Sequence, residues 1–374
     1  MFTVKIVNVY QLETQLKTTT QTPNNYAFID SLRFISMISI VMEHCGNYFG
    51  TQNYPHPIQK IAAVANVDLY KFGTIIFFLL SGFLIGDKIK TTTPFEYIKR
   101  RFKSTIKPWL FWVFIFIFLN YVTSALIYFK FHPSDFWQTP TLPITYQISH
   151  TVFFTSFWFI LNFMICLAVL LAFRKYLDSF YFGGILLLLS LFYSINVYTE
   201  WIPTSHTIAF LGFVFYLWLG YTLNRYFAEF KTRVANFPGW ILVVFLALAF
   251  AASCAETFLL ISLKSVDAFN TLRISNILVS LISFLVLFKY SDNLNVSALK
   301  PRQTTYGIYL IHQVLIVHLI PLVVVPLHYQ ENIHSIKTLV GMQMLRFVVI
   351  YGFSYGIALS LTYAPKSVRW IVGQ

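Results

Sequence analysis

Long apolar stretches alternate with short polar segments from about residue 28 to residue 363. A helix that crosses a bilayer needs about 20 mostly apolar residues. Ten stretches approach that length, of which the first is the most polar and the fifth is short; they lie at roughly 28–48, 68–87, 106–128, 151–173, 182–198, 206–224, 239–262, 272–290, 305–327 and 340–363. The pattern therefore predicts an all-α, polytopic membrane protein with about ten transmembrane helices.

The polar ends of the chain predict how it is divided. Residues 1–25 are rich in Thr and Gln and contain no apolar core followed by a cleavage site of small residues, so we expect no cleavable signal peptide. We interpret residues 1–25 as a polar cytoplasmic tail, residues 26–365 as one membrane domain and residues 366–374 as a short cytoplasmic tail.

The composition supports a membrane protein and excludes several other classes. Hydrophobic residues make up 57 % of the chain and charged residues only 11 %, whereas soluble domains are about a quarter charged. This deficit of charge excludes a soluble globular enzyme and a disordered protein. Three cysteines at distant positions, Cys45, Cys166 and Cys254, form neither a disulfide framework nor a zinc spacing. A membrane enzyme or a membrane conduit remains.

The basic residues predict an orientation. The formal net charge is +13, and 20 of the 27 Lys and Arg residues fall on the side of the amino terminus when ten spans are assumed. Cytoplasmic loops carry such an excess in membrane proteins. We therefore expect both termini in the cytoplasm. The excess of positive charge is explained by loops that face anionic lipid headgroups, so we expect membrane lipids and no nucleic acid as partners.

The first span carries the ionisable residues Arg33, Glu43 and His44, in a region where such groups are costly and mark functional candidates. Eleven residues separate Arg33 from His44, which places both on one helix face, roughly 16 Å apart along the axis. This pair suits the two ends of a long ligand, with a cation for an anionic part and a base near neutral pH. Alternatively, Arg33 snorkels to the interface and pairs with Asp30, and His44 lies at the outer water boundary.

A basic segment follows the second span, with five cations between Tyr97 and Trp109. Such a segment is either a solvated cytoplasmic loop or a phosphate-binding patch. The second interpretation rests on Arg100 and Arg101, because a guanidinium group matches phosphate oxygens bidentately.

Small and polar residues in two other spans are weaker candidates. Ser81 and Gly82 in the second span allow a close backbone approach and leave one hydroxyl group, a pattern more typical of helix packing than of chemistry. Tyr309 and His312 lie three residues apart and therefore share a face, where they could pack or line a polar cavity. The G-x-S-x-G pattern at Gly352–Gly356 lies within an apolar span, so we interpret it as chance rather than as a nucleophile turn.

These motifs, in this order, resemble those of the integral-membrane acyltransferase family 3. The resemblance covers roughly residues 26–365. It is carried by Arg33 with His44, by the segment Phe77-Phe-Leu-Leu-Ser81-Gly82-Phe-Leu-Ile85, by Arg100-Arg101 with Pro108, and by Tyr306-Gly-Ile-Tyr309-Leu-Ile-His312. Trp158-Phe159-Ile160 resembles the family's Trp-Phe-Leu. The chain departs from the family where Asn162 stands near a position that is often Glu, and where Ser31-Leu32 replaces a glycine.

The resemblance implies transfer of an acyl group, usually acetyl, from acyl-coenzyme A to a carbohydrate hydroxyl, without a metal. The acceptor would be a cell-surface polysaccharide, a lipid-linked glycan or an oligosaccharide, at the cytoplasmic membrane of a bacterium. His44 would act as base or transient acyl carrier, together with Arg33 as a second catalytic residue. The coenzyme would be bound by Arg33, which thus has two roles, and by Arg100, Arg101 and Ser81. The substrate channel would be lined by Tyr309, His312, Trp158 and Glu43.

A non-enzymatic exporter or transporter of a glycan or lipid-linked intermediate is the alternative. Transporters often contain broken helices and internal repeats, and neither is visible in the sequence. The outer segment 130–149, with Phe136 and Trp137, could stack on sugar rings or plug the interface.

Overall fold

The protein is represented by a computed structural model that describes residues 26–46, 56–89, 91–131, 142–321 and 335–374. These residues are helical or irregular, with no strand among them, which confirms the all-α class. The polar tail 1–25 and the aromatic residues Phe136 and Trp137 lie outside the described residues.

The helices follow one another with short connections. Their bounds are Ala27–Cys45 (α1), Pro57–Leu69 (α2), Gly73–Gly86 (α3), Pro94–Arg101 (α4), Lys107–Phe131 (α5), Ile144–Phe154 (α6), Trp158–Ala172 (α7), Phe180–Thr199 (α8), Phe210–Arg225 (α9), Phe227–Asn236 (α10), Gly239–Ser262 (α11), Ile274–Tyr290 (α12), Pro301–His318 (α13), Ile336–Tyr363 (α14) and Lys366–Arg369 (α15). A π-helical turn, Phe102–Ile106, joins α4 to α5.

Six helical stretches in the described residues are long and apolar enough to cross a membrane, or seven if the bent pair α6–α7 counts as one span. The six are Pro57–Gly86, Pro94–Lys130, Phe180–Thr199, Gly239–Ser262, Ile274–Asn293 and Ile336–Tyr363. The count of ten is therefore not confirmed. The other predicted spans do form helices, but α9 has only 16 residues, and α1 and α13 are more polar.

Burial explains why α1 and α13 carry polar residues. More than half of the residues of each helix are buried within the protein. In contrast, only 22 % of the most apolar 18-residue stretch of α11 is buried, and only 17 % of the corresponding stretch of α14. The exposed apolar faces of the outer helices suit contact with lipid, whereas α1 and α13 face other helices, which offer hydrogen-bond partners.

Two hydrophobic clusters meet at α1. The amino-terminal half of α1, through Phe28 and Leu32, packs with α3, α7 and α9. Its carboxy-terminal half, through Met37 and Val41, packs with α5, α13 and α14. Helix α1 therefore occupies the boundary between two parts of the bundle.

Two glycines bring α3 and α9 into close contact. A Cβ atom added at Gly82 would lie 1.9 Å from the backbone oxygen of Leu217, and one added at Gly220 would lie 2.0 Å from that of Leu79. Only a residue without a side chain fits at these positions. The packing interpretation of the Ser81-Gly82 pair is therefore confirmed for Gly82.

The span predicted at 151–173 is broken, which corrects the expectation of one continuous helix and of unbroken helices in general. Helix α6 ends at Phe154, α7 begins at Trp158, and the two are bent by 68°. Thr155 Oγ1 donates to the backbone oxygen of Thr151 and accepts from the Phe157 N–H, which stabilises the bend locally.

Two basic residues in the connections between helices, Lys71 and Arg273, are buried in ion pairs rather than exposed. Lys71 Nζ lies 2.7 Å from Glu43 Oε1, and Arg273 Nη2 lies 2.6 Å from Asp68 Oδ1, with all four side chains buried. The sequence pattern missed these pairs because each joins residues distant along the chain. Buried charges are tolerated when they are paired and hydrogen-bonded.

Candidate active site

Two cavities lie along helix α1, one near each end. The histidine cavity, of about 790 Å³, is lined by His44 near the carboxy-terminal end of α1. The arginine cavity, of about 270 Å³, is lined by Arg33 near the amino-terminal end. Ile40, Phe159 and Tyr309 line both cavities and therefore form the wall between them. The shared helix face predicted for Arg33 and His44 is the face toward these cavities.

His44 is hydrogen-bonded to a second histidine on α13. Nδ1 of His44 lies 3.0 Å from Nε2 of His312, and the two rings stack with centroids 5.2 Å apart. His312 is fully buried, and its Nδ1 lies 2.6 Å from the backbone oxygen of Tyr309 and 3.2 Å from that of Ile308. The two histidines thus form a dyad anchored on the backbone of α13.

The hydrogen bonds of the dyad assign its protons. A carbonyl oxygen only accepts, so in the neutral ring of His312 the proton is assigned to Nδ1, and Nε2 has a free lone pair. Nδ1 of His44 must then donate to His312, which leaves Nε2 of His44 unprotonated. His44 is half-buried and lines the cavity, so its imidazole is a base with access to a bound molecule.

An ion pair lies beside His44 in the same cavity. Glu43 and Lys71, which form the buried pair described above, both line the histidine cavity. Lys71 follows α2, and a second buried pair holds that helix in place: Asp68 accepts from Arg273 and from Thr257 Oγ1, 2.8 Å away. In each of these two ion pairs, the loss of one charged side chain would leave the other buried and unpaired, which is strongly destabilising.

The arginine cavity gathers three guanidinium groups: Arg33, Arg101 and Arg302. Arg33 pairs with Asp30 at 3.1 Å, as the alternative interpretation expected, and it also lines the cavity. Arg101 donates to the hydroxyl oxygen of Tyr97 at 3.1 Å. Ser81 lines the same cavity. Three cations around one cavity suit an anion with several charges.

Lys88, which follows α3 outside the spans, reports the positive field at this end of the bundle. Partial burial lowers the pKa of the Lys88 amine, and nearby positive charges lower it further. Those charges belong to Arg101, Arg100 and Arg302. An anion bound among these groups would relieve their mutual repulsion.

The structure brings most of the predicted site residues together. His44, Glu43, Trp158 and Tyr309 line the histidine cavity, and Arg33, Arg101, Ser81 and Tyr309 line the arginine cavity. His312 contacts His44 but lines neither cavity. Arg100 differs from its neighbour, because its side chain is exposed and does not line either cavity.

Two site residues, Arg302 and His206, are not predicted by the sequence motifs. Arg302 lies seven residues before Tyr309, about two helical turns, and so shares its face on α13; this spacing was the available signal. His206 packs on Trp158 with ring centroids 4.3 Å apart, and no sequence pattern links these residues. Asn162, near the position that is often Glu in the family, is buried and donates to the backbone oxygen of His206 at 3.0 Å.

In the described ranges, no group of three or more His, Cys, Asp or Glu side chains is placed to hold a metal ion. The G-x-S-x-G pattern lies within α14, a continuous helix, so it has no strand-to-helix turn.

The apolar helices define an integral membrane protein, with two cavities in its interior. A family model described as an acyltransferase domain matches residues 26–363. The chain therefore belongs to the integral-membrane acyltransferase family 3, as its motifs indicated, and this membership implies acyltransferase activity. No curated protein and no solved structure matches the chain.

Proposed function

We propose that this protein transfers an acyl group, most simply acetyl, from acyl-coenzyme A to a hydroxyl group of a carbohydrate. The observation that carries the proposal is the pair of cavities on α1, which meet at Tyr309 and place three arginines on one side and the histidine dyad on the other. A donor with an anionic end and a distant reactive end suits this arrangement.

The coenzyme phosphates would bind in the arginine cavity. Arg101 and Arg302 form no ion pair with a described residue and so retain their charges for the phosphates. Arg33 adds a third charge, and Ser81 adds a hydroxyl group. The eleven residues from Arg33 to His44 rise by roughly 16 Å, a distance that an extended thioester arm could span past Tyr309.

His44 would act as the general base. Its Nε2 accepts the proton of the acceptor hydroxyl while the hydroxyl oxygen attacks the thioester carbonyl carbon. When the carbon–sulfur bond breaks, His44 donates this proton to the leaving thiolate. His312 holds the His44 ring in the required tautomer throughout.

The acceptor would bind in the histidine cavity. Trp158 and His206 offer ring faces to a sugar, and hydroxyl groups of Thr204 and Thr271 offer hydrogen bonds. With ten spans and both termini in the cytoplasm, this cavity faces outward and the arginine cavity faces the cytoplasm, where acyl-coenzyme A is made. A polysaccharide, a lipid-linked glycan or an oligosaccharide at a bacterial cytoplasmic membrane fits this placement.

The proposal is tested by acetyl-coenzyme A consumption together with glycan analysis. Purified full-length protein in detergent should release free coenzyme A thiol from acetyl-coenzyme A, and cells that express it should carry more O-acetyl groups on surface glycans than cells without it. A protein that binds no acetyl-coenzyme A and changes glycan export without changing acetylation would instead be a transporter.

A further inference from the structure

The break between α6 and α7 places non-helical backbone inside the membrane domain, at the edge of the histidine cavity. Thr155, Ser156 and Trp158 all line this cavity. Irregular backbone at membrane depth is tolerated where it lines a cavity or is covered by protein. The break therefore presents the amino-terminal end of α7, with its partial positive charge, to a bound molecule.

One buried side-chain oxygen of the turn has no hydrogen-bond partner within the described part of the chain, although several other polar groups of the turn are paired. Thr155 Oγ1 and the Phe157 N–H bond to each other at 3.3 Å, and the Trp158 and Phe159 N–H groups donate to the backbone oxygens of Thr155 and Ser156. Tyr309 donates its hydroxyl hydrogen to the backbone oxygen of Ser156. The side-chain hydroxyl of Ser156 has no partner among the described residues, although Ser156 is only 5 % exposed.

A buried hydroxyl group without a partner is rare and costs stability, so its presence at a cavity calls for an explanation. The turn is hydrogen-bonded through Tyr309 to α13, the helix that also carries His312. Ser156 is thus held on the same cavity as His44 by the same helix that orients the dyad.

We infer that Ser156 is a further catalytic residue, whose hydroxyl donates a hydrogen bond to the oxyanion of the acyl-transfer intermediate; this inference rests on the proposed function. As the acceptor oxygen bonds to the thioester carbonyl carbon, the carbonyl electron pair moves onto its oxygen. Ser156 Oγ–H and the positive end of α7 stabilise that negative charge. The pair returns when the carbon–sulfur bond breaks, and Ser156 keeps its proton throughout.

The test measures coenzyme A thiol release from acetyl-coenzyme A by purified full-length protein, with water as the acceptor. Ser156→Ala should lower kcat by about 10²–10³-fold, the usual effect of removing one oxyanion donor, and leave KM for acetyl-coenzyme A unchanged. Ser156→Cys has nearly the same side-chain volume, so it should fold. Its thiol is only a weak hydrogen-bond donor, so its kcat should be nearly as low as that of Ser156→Ala. The matched control is Ser354→Ala, which removes another buried hydroxyl without a described partner, on α14 and away from both cavities.

The outcomes separate this inference from the function on which it rests. If the wild-type protein releases thiol and both Ser156 variants match it, Ser156 is not the donor, while acyl transfer stands. If the protein carries a stable acetyl label that is lost in Ser156→Ala, Ser156 is a nucleophile and the donor role is overturned. If the wild-type protein releases no thiol, both the inference and the proposed donor fail.

Discussion

At the scale of single residues, His312 controls the chemistry of His44 without contacting the cavity itself. Its two nitrogens are bonded to backbone oxygens of α13 and to Nδ1 of His44. In many active sites a second residue orients the catalytic base. Here His312 fixes both the tautomer and the ring angle of His44. His312 is therefore a positioning residue.

His312→Ala should lower kcat for thiol release by about 10²-fold, because a base that is free to rotate is misplaced for proton transfer. KM for acetyl-coenzyme A should not change. His312→Gln should recover part of the loss, since its side-chain oxygen can accept from His44 Nδ1. His318→Ala is the control on the same helix, where the ring contacts Thr123 instead. Equal losses in His312→Ala and His318→Ala would indicate damage to α13 rather than loss of positioning.

The adjacent arginines Arg100 and Arg101 should differ in donor binding. Arg101 lines the arginine cavity and Arg100 is exposed outside it. Loss of one charge-assisted contact costs about 1.5–3 kcal/mol, so Arg101→Gln should weaken acetyl-coenzyme A binding by about 10-fold or more. Arg100→Gln, measured by the same calorimetric titration, should bind almost as the wild type does. Equal weakening in both variants would mean that the coenzyme lies across the surface of α4.

At the scale of helices, the sequence predicted where helices lie better than it predicted where they are interrupted. Each predicted apolar run contains a helix, because an apolar stretch in lipid must form its hydrogen bonds within itself, but helix α2 lies almost wholly outside these runs. The break at Thr155–Phe157 was not predicted, since that segment contains neither Gly nor Pro. Arg101 and His44 were found from motifs, whereas the pair of Asp68 and Arg273 depends on packing between helices far apart in the chain.

The contact between α3 and α9 should fail when a side chain is added at the crossing. Gly82→Ala would force a Cβ atom against the Leu217 backbone, which cannot move without separating the helices. We expect a lower unfolding temperature in detergent and a loss of acetyl-coenzyme A binding, because α3 also carries Ser81. Gly184→Ala, on α8 with open space around it, should be as stable as the wild type. A stable Gly82→Ala protein would show that the two helices are less closely packed than described.

At the scale of the whole molecule, the two cavities give the protein two functional ends. The loop that carries Val266 lines the histidine cavity, and Ser297 lies shortly before Arg302 of the arginine cavity. The proposed orientation places the first end outside and the second in the cytoplasm, in agreement with the bias of basic residues.

Cysteine labelling in intact cells should reveal this orientation. Val266→Cys should react with a membrane-impermeant thiol reagent, because Val266 is 83 % exposed at the proposed outer end. Ser297→Cys should react only after the cells are opened. The wild-type chain, with Cys45 and Cys166 buried and Cys254 half-buried, serves as the blank. The reverse labelling pattern would invert the molecule and place the histidine dyad toward the cytoplasm.

The most direct test of the account is the His44→Ala protein, purified at full length and given acetyl-coenzyme A. We predict that it binds acetyl-coenzyme A with the wild-type affinity, because the arginine cavity is intact, and that its rate of coenzyme A release falls by at least about 10²-fold, because the base is gone. Cys45→Ala, the neighbouring substitution, should release coenzyme A normally. Wild-type release by His44→Ala, or a loss confined to Cys45→Ala, would contradict catalysis by the histidine dyad.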